Sequence, residues 1–186
     1  MKNLPLPTTP RELKARYPYQ FAEHHIELSF FRGWMPLFAQ LCADIDAQLG
    51  PDKRGFHWVQ LKEKFGSARW HCKLEPLLEP DKVAEIGIYA SIAEINAHDE
   101  RFANPQEMAL RQRIQALRRG AEEHTQTACI VCSEPAEVDR STGHLLVICP
   151  EHARQRRRGE MEPAWFTDEK DGPNDGSAGG PDETQP

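Results

Sequence analysis

The clearest helical pattern in the chain runs from Trp34 to Leu49. Gly50 follows this stretch as a stop signal, and Pro36 falls in the first turn, where its missing N–H has no intrahelical partner. We therefore predict an amphipathic helix that packs one apolar stripe against a core. The stripe consists of residues three or four positions apart: Trp34, Leu37, Phe38, Leu41, Cys42, Ile45 and Leu49.

From residue 55 the apolar period changes from helical spacing to two. A first run of alternating residues ends near Lys-Glu-Lys-Phe-Gly, and a second run continues through residues 69–72. Two such runs joined by a short turn predict a β-hairpin over about residues 56–74. In the first strand we predict Phe56 and Trp58 on one face, and His57, Val59 and Leu61 on the other.

Two further helical patterns follow the hairpin. One begins at Asp81, a typical N-cap residue, and continues to about residue 97, while the other covers about residues 106–125. Helices and a hairpin in one chain of 186 residues predict an α+β fold with one small helix and β-hairpin core.

Charge is distributed unevenly along the chain. The formal net charge is −6, yet residues 160–186 hold eight acids and one base, so residues 1–159 carry a charge of +1. The tail is rich in Pro, Gly and Asp and poor in apolar residues, which predicts disorder. Because no apolar leader and no run of eighteen apolar residues is present, we expect a cytoplasmic protein.

Two pairs of metal-type residues lie towards the end of the chain. Cys129 and Cys132 form a Cys-x-x-Cys pair, and Cys149 and His152 repeat its spacing after sixteen intervening residues. In a reducing compartment such pairs indicate tetrahedral zinc ligands before disulfides. Four protein ligands close the coordination shell, so we predict one structural Zn²⁺ ion. His144 and His124 are the alternatives to His152 as the fourth ligand.

The residues around these pairs indicate how the ligands are presented. β-prone residues flank a turn at residues 141–143, and Pro150 marks the start of a helix. A knuckle, a hairpin and a helix that supplies the last two ligands are typical of a treble-clef-like zinc ribbon. The competing interpretation is a set of inert buried thiols with an exposed histidine. Cys42 and Cys72 lie on apolar faces and are predicted core residues.

These patterns divide the chain into four parts. They are an irregular N-terminal segment (1–24), an α+β core (25–126), a zinc-binding module (127–159) and a disordered acidic tail (160–186). We expect the module to have a core of its own, so that removal of the metal would leave the α+β core folded.

Two arginine clusters flank the metal motif. They could contact phosphates or a partner, but no aromatic residues are interleaved for base stacking, and we favour solvated helix faces. We likewise interpret the charged hairpin turn, Lys62 to Lys64, as a solubilising edge. The clusters are Arg111, Arg113, Arg118 and Arg119 before the motif, and Arg154, Arg156, Arg157 and Arg158 after it.

Three motifs occur together between about residues 33 and 152: "GWMPLFAQLC", "VQLKEKFGSARW", and "CIVC" with "CPEH". With them the chain resembles a group of short, uncharacterised bacterial and prophage proteins. It departs from their pattern at Ala68, where Leu is expected, and at Ser133, where Gly is expected. The resemblance implies a small zinc-bearing protein and supplies no established activity.

Three functions compete for this sequence. The leading hypothesis is a non-enzymatic, zinc-stabilised protein that binds another protein as an inhibitor, adaptor or immunity-type factor, with a link to phages or mobile elements. The second is a nucleic-acid-binding regulator that uses the arginine clusters. The third is a zinc-dependent hydrolase or nuclease, disfavoured because only His144 is offered as a general base.

Overall fold

The computed structural model describes residues 5–22, 26–51, 53–74, 105–141, 143–161 and 164. Its helices and strands confirm the predicted α+β class. The helix expected over residues 81–97 and the acidic tail beyond Ala164 lie outside the described residues. The helices are α1 (Pro10–Arg16), α2 (Met35–Leu49), α3 (Pro105–His124) and α4 (Pro150–Arg157), and the strands are β1 (Leu28–Ser29), β2 (His57–Lys64), β3 (Ser67–Lys73), β4 (Glu137–Asp139) and β5 (Leu146–Ile148).

The N-terminal segment, for which we predicted irregular structure, contains α1. Thr9 caps this helix, because its hydroxyl accepts a hydrogen bond from the Glu12 N–H. The Glu12 carboxylate accepts one in return from the Thr8 N–H at 2.8 Å. Leu13 is fully buried, so this short helix is anchored in the core. None of the helices that the structure describes is long and apolar enough to span a membrane.

A three-stranded sheet and α2 build the centre of the fold. β1 lies parallel to β2, which pairs antiparallel with β3. Phe38 of α2 packs against Trp58 and Trp70, at ring-centroid distances of 5.1 and 4.9 Å. All three side chains are fully buried. The predicted helix and hairpin therefore meet through their aromatic faces, and α3 packs against both.

The predicted face assignment in β2 is wrong at Leu61. The pairing with β3 shifts between Trp58 and Gln60, so an extra residue is inserted into β2. Trp58 and Leu61 are consequently both buried, whereas Val59 is 36% exposed. A bulge of this kind changes which side chains face the core without changing the composition of the strand.

Glu122 of α3 and Thr125, which directly follows the helix, cover the outer edge of β3. The Ala68 N–H donates to the Thr125 hydroxyl at 3.1 Å, and the Trp70 N–H donates to the Glu122 carboxylate at 2.7 Å. Arg118 in turn bonds both Glu122 and the Trp70 carbonyl. An exposed row of backbone groups would otherwise invite pairing with another strand. This edge is therefore closed by the protein itself.

The C-terminal module packs on the same core as α2, so the expectation of a separate core is wrong. Cys129, Ile130 and Val147 are buried in one hydrophobic cluster with Trp34. The Gly33 N–H donates to the Ile130 carbonyl at 2.9 Å, and the Ile130 N–H donates to the Val147 carbonyl at 3.0 Å. A Cβ atom on Gly33 would lie 2.6 Å from the carbonyl carbon of Ile130, so a glycine permits this approach.

Candidate metal centre

Four predicted ligands converge at one point of the module. Cys129 and Cys132 lie in the turn segment between α3 and β4, Cys149 is the N-cap residue of α4, and His152 lies in its first turn. The antiparallel pair β4–β5 brings Cys149 back beside the first two cysteines. The ligand atoms of all four residues lie within 4.8 Å of one another. This group can hold a metal ion.

Of four separations between the ligand atoms, three match those around a tetrahedral ion, and the one between Cys149 and His152 is shorter. Typical zinc bonds predict about 3.8 Å between two sulfurs and about 3.6 Å between a sulfur and a nitrogen. Cys132 Sγ lies 3.8 Å from Cys149 Sγ. His152 Nδ1 lies 3.5, 3.6 and 3.1 Å from the sulfurs of Cys129, Cys132 and Cys149. The histidine thus presents Nδ1 to the three sulfurs.

Backbone hydrogen bonds favour the thiolate form of Cys129, the form that binds a metal cation. Burial raises the pKa of Cys129, but hydrogen bonds from the backbone of Cys149, Val131 and Cys132 hold the net pKa below its ordinary range. Burial raises the pKa of Cys132 to about 12, despite a backbone hydrogen bond from Glu134, and the adjacent Cys129 sulfur adds to this rise. Metal binding at this group therefore releases protons.

Ser133 occupies a position with the backbone geometry of a glycine. Its φ of +68° lies in the left-handed region, where glycine is the usual residue. The Ser133 hydroxyl donates a hydrogen bond to the Gly33 carbonyl, and the Ser133 N–H donates to the Cys129 carbonyl at 3.0 Å. The serine thus accepts a strained conformation and ties the turn after Cys132 to the residue that precedes α2.

The other candidate ligands lie elsewhere. His144 and His124 are not members of the cluster, which is the one group of three or more possible ligands among the described residues. Cys42 is fully buried, and burial raises its pKa. Burial also raises the pKa of Cys72 to about 11. Cys42 is a core residue as predicted, whereas Cys72 is half-buried and packs against the core.

The largely buried side chain of Arg156 links three parts of the module. Its side chain is 8% exposed and forms a 3.0 Å ion pair with Asp139, which is 13% exposed. It also bonds the carbonyls of Asp139 and His144, so it joins α4 to the end of β4 and to the loop before β5. Burial raises the pKa of Asp139, but hydrogen bonds from Ser141 and Arg156 hold the net pKa below its ordinary range.

Most of the other predicted arginines bond to neighbouring residues as well. Arg111 bonds Glu107 and the Leu74 carbonyl, Arg113 bonds Gln48, and Arg118 bonds Glu122. Arg154 pairs with Glu151, and Arg158 pairs with Glu160. Arg119 and Arg157 are exposed. The two clusters are thus placed along α3 and α4 largely as intramolecular partners.

Phe65 is the exposed residue that sequence analysis missed. It lies at the tip of the β2–β3 hairpin, is 87% exposed and has a φ of +54°. The Gly66 N–H donates to Glu63 at 2.6 Å, and the Ser67 hydroxyl donates to the Lys64 carbonyl at 3.1 Å, so the turn is firmly held. The Phe-Gly dipeptide within "VQLKEKFGSARW" was the sequence signal for an aromatic residue in the turn.

A groove of about 660 Å³ lies beside this tip. It separates the hairpin from the loop that leads into β5, and Leu145 on its far side is 52% exposed. Buried Phe31 also lines it, together with Glu63, His144 and Arg156. The hairpin tip and the module thus line the same groove.

Comparison of the chain with protein-family models, curated proteins and solved structures finds no match.

Proposed function

We propose that the cluster of Cys129, Cys132, Cys149 and His152 holds one Zn²⁺ ion with a structural role. The donor set and the tetrahedral separations support zinc, and four protein ligands leave no position for a reacting water. The turn after Cys129, the β4–β5 hairpin and the start of α4 follow the order of a treble-clef-like ribbon. When bound, the ion would link the first ligand pair to α4.

The protein as a whole is proposed to bind another protein, in the manner of an adaptor or inhibitor, through the tip and groove. The observation that carries this proposal is Phe65. The left-handed backbone of Phe65 carries strain of the kind that clusters at functional sites, and its exposed ring offers an apolar contact at the tip. Aromatic side chains on rigid supports are also the residues that contribute most to protein interfaces.

The two alternative functions have weaker support. The guanidinium groups of Arg111, Arg118 and Arg156 are bonded to carboxylates within the chain, which reduces their availability for phosphates. A hydrolase needs an open metal position or a general base, and the metal cluster supplies four closing ligands. We therefore place protein binding ahead of nucleic-acid binding and hydrolysis.

The test is a selection from a random peptide library on the zinc-loaded full-length chain. Enriched peptides are expected to bind Phe65→Asn at least about tenfold more weakly, because the phenyl ring is lost. Asn tolerates the left-handed conformation, so the turn is preserved in this variant. Leu6→Asn, at a side chain 37% exposed, is the matched control and should bind normally. No enrichment, or equal binding by Phe65→Asn, would contradict the proposal.

A further inference from the structure

The solvent face of the β2–β3 hairpin carries only basic and neutral polar side chains at its paired positions. The register places Lys62 opposite Arg69, Gln60 opposite His71, and Lys64 opposite Ser67. Lys73 continues the same face along β3, and Glu63 lies on the other face, where it bonds the Gly66 N–H. We call the set of Lys62, Lys64, Arg69, His71 and Lys73 the basic face.

No carboxylate of the described residues forms an ion pair with the basic face. Among the residues that the structure describes, none of its five members takes part in an ion pair. Lys64 contacts a neighbouring ring, with its Nζ 5.4 Å from the centroid of Phe65. Arg69, His71, Lys73 and Lys64 are exposed, and Lys62 is half-buried. Within the part of the chain that the structure describes, the positive charge of this face is therefore unpaired up to the hairpin tip.

The pairing of Lys62 with Arg69 distinguishes this face from an ordinary soluble surface. Like charges directly opposite one another destabilise an antiparallel pair, and one Glu in either position would relieve the repulsion. Solubility is served equally well by charges of both signs. An anionic partner bound at this pair would relieve the repulsion between Lys62 and Arg69.

The residues at the hairpin tip distinguish between a polypeptide and a nucleic acid as the anionic partner. Phe65 and the neighbouring groove, with Leu145 on its far side, offer apolar contacts that suit a side chain better than a phosphate. Binding of single-stranded nucleic acid uses several exposed aromatic rings, whereas Trp58 and Trp70 in this hairpin are fully buried. Charge and apolar surface together therefore favour a polypeptide.

We propose that the partner binds through an acidic segment that carries an apolar residue. Its carboxylates lie along the basic face, and its apolar side chain passes the tip at Phe65 to enter the groove, which Glu63 lines from the opposite face of the hairpin. This inference rests on the proposed protein-binding function and adds the chemistry of the partner to it. Alternate residues of β3 are about 7 Å apart, so carboxylates at every second position of an extended segment match Arg69, His71 and Lys73.

The random-library selection tests this inference through the composition of the enriched peptides. They are expected to be rich in Asp and Glu around one large apolar residue, and their affinity should fall as salt rises. Lys62→Glu combined with Arg69→Glu is expected to weaken binding by about tenfold or more. The control, Arg119→Glu combined with Arg157→Glu, makes the same charge change at exposed positions elsewhere and should alter binding less than about twofold.

Stability measurements separate a binding role from a structural one. The variant that combines Lys62→Glu with Arg69→Glu, the double reversal, still has two like charges opposite one another. Its Tm should therefore stay close to that of the parent chain. Arg69→Glu alone creates an attractive pair with Lys62 and should raise Tm while weakening peptide binding.

Neutral or basic peptides that depend on Phe65 would overturn the acidic inference and leave the proposed function standing. Enriched peptides that bind Phe65→Asn as well as the parent chain, or a failure of enrichment, would overturn both the acidic inference and the proposed protein-binding function. Sub-micromolar binding of duplex or single-stranded DNA or RNA at physiological salt, lost in the double reversal, would assign the basic face to nucleic acid instead.

Discussion

The two hairpins of this chain are built by different means. The β2–β3 hairpin has strands of eight and seven residues, and it buries Trp58 and Trp70 against α2. The β4–β5 hairpin has two strands of three residues, and Val138 in its first strand is 49% exposed. A hairpin of that size is at most marginally stable in water by itself. The second hairpin therefore needs the ligand cluster and Arg156.

This difference also separates the roles of the two hairpins. The first has enough buried aromatic surface to hold a strained, exposed Phe65 at its tip. The second contributes the far wall of the groove and places Cys149 beside the other ligands. Because both contribute to one hydrophobic cluster, damage to the second should also affect the first.

Removal of the metal should have the largest effect. Structural zinc contributes on the order of 10 kcal/mol to the folding of isolated finger peptides. Since Cys129 and Ile130 belong to the same cluster as Trp34, chelation is expected to abolish the near-UV circular dichroism of the buried tryptophans. Cys132→Ser should have the same effect, and elemental analysis should find one zinc in the parent chain and less in this variant.

Cys72→Ser is the control for the loss of a thiol, because Cys72 is outside the ligand cluster. It should retain one zinc per chain. Unchanged tryptophan signals after complete zinc removal would show that the α+β core folds independently, as the sequence patterns had suggested.

The elements and the ligand set could be predicted because they depend on local spacing. The stripe from Trp34 to Leu49 became α2, and the two ligand pairs met as expected. The insertion at Val59 could not be predicted, since a bulge depends on the register with β3. The same holds for the β3 edge, which is closed by Glu122 and Thr125 from more than fifty residues away.

The sequence also could not show that the C-terminal module and α2 share one hydrophobic core. Gly33 looked like a residue before a helix, and its role depends on contact with Ile130, almost a hundred residues further along the chain. Similarly, the Ser133 hydroxyl donates a hydrogen bond to the Gly33 carbonyl, a hundred residues earlier in the chain. Such contacts are set by tertiary packing, which the spacing of apolar residues does not encode.

Gly33→Ala should have the next largest effect. The new methyl group would overlap the backbone of Cys129 and Ile130, which cannot move without shifting the ligand turn. We expect a loss of about 3 kcal/mol in the free energy of unfolding and weaker zinc retention against a chelator. Gly120→Ala is the matched control, because a Cβ there meets no atom within 4 Å and α3 should gain helix propensity. Equal zinc retention by both variants would argue against the coupling.

Arg156→Met should have a smaller effect, confined at first to the second hairpin. The variant loses the ion pair with Asp139 and the bonds to two carbonyls, but Asp139 lies near the surface and keeps its hydrogen bonds from Ser141. We expect a loss of about 1–2 kcal/mol in the free energy of unfolding at pH 7. Arg154→Met, which breaks an exposed pair on the same helix, should cost less than about 0.5 kcal/mol.

The pH dependence of the Arg156→Met effect tests its cause. A carboxyl whose pKa is lower in the folded state contributes stability above its unfolded pKa, and this contribution is lost as pH falls through the folded pKa. In Arg156→Met the pKa of Asp139 should therefore rise towards its ordinary value of about 3.9, as followed by NMR of the carboxyl carbon. An unchanged Asp139 pKa would show that Ser141 alone sets it. The second hairpin would then depend on its metal ligands and on the two carbonyl bonds of Arg156, with the ion pair adding little.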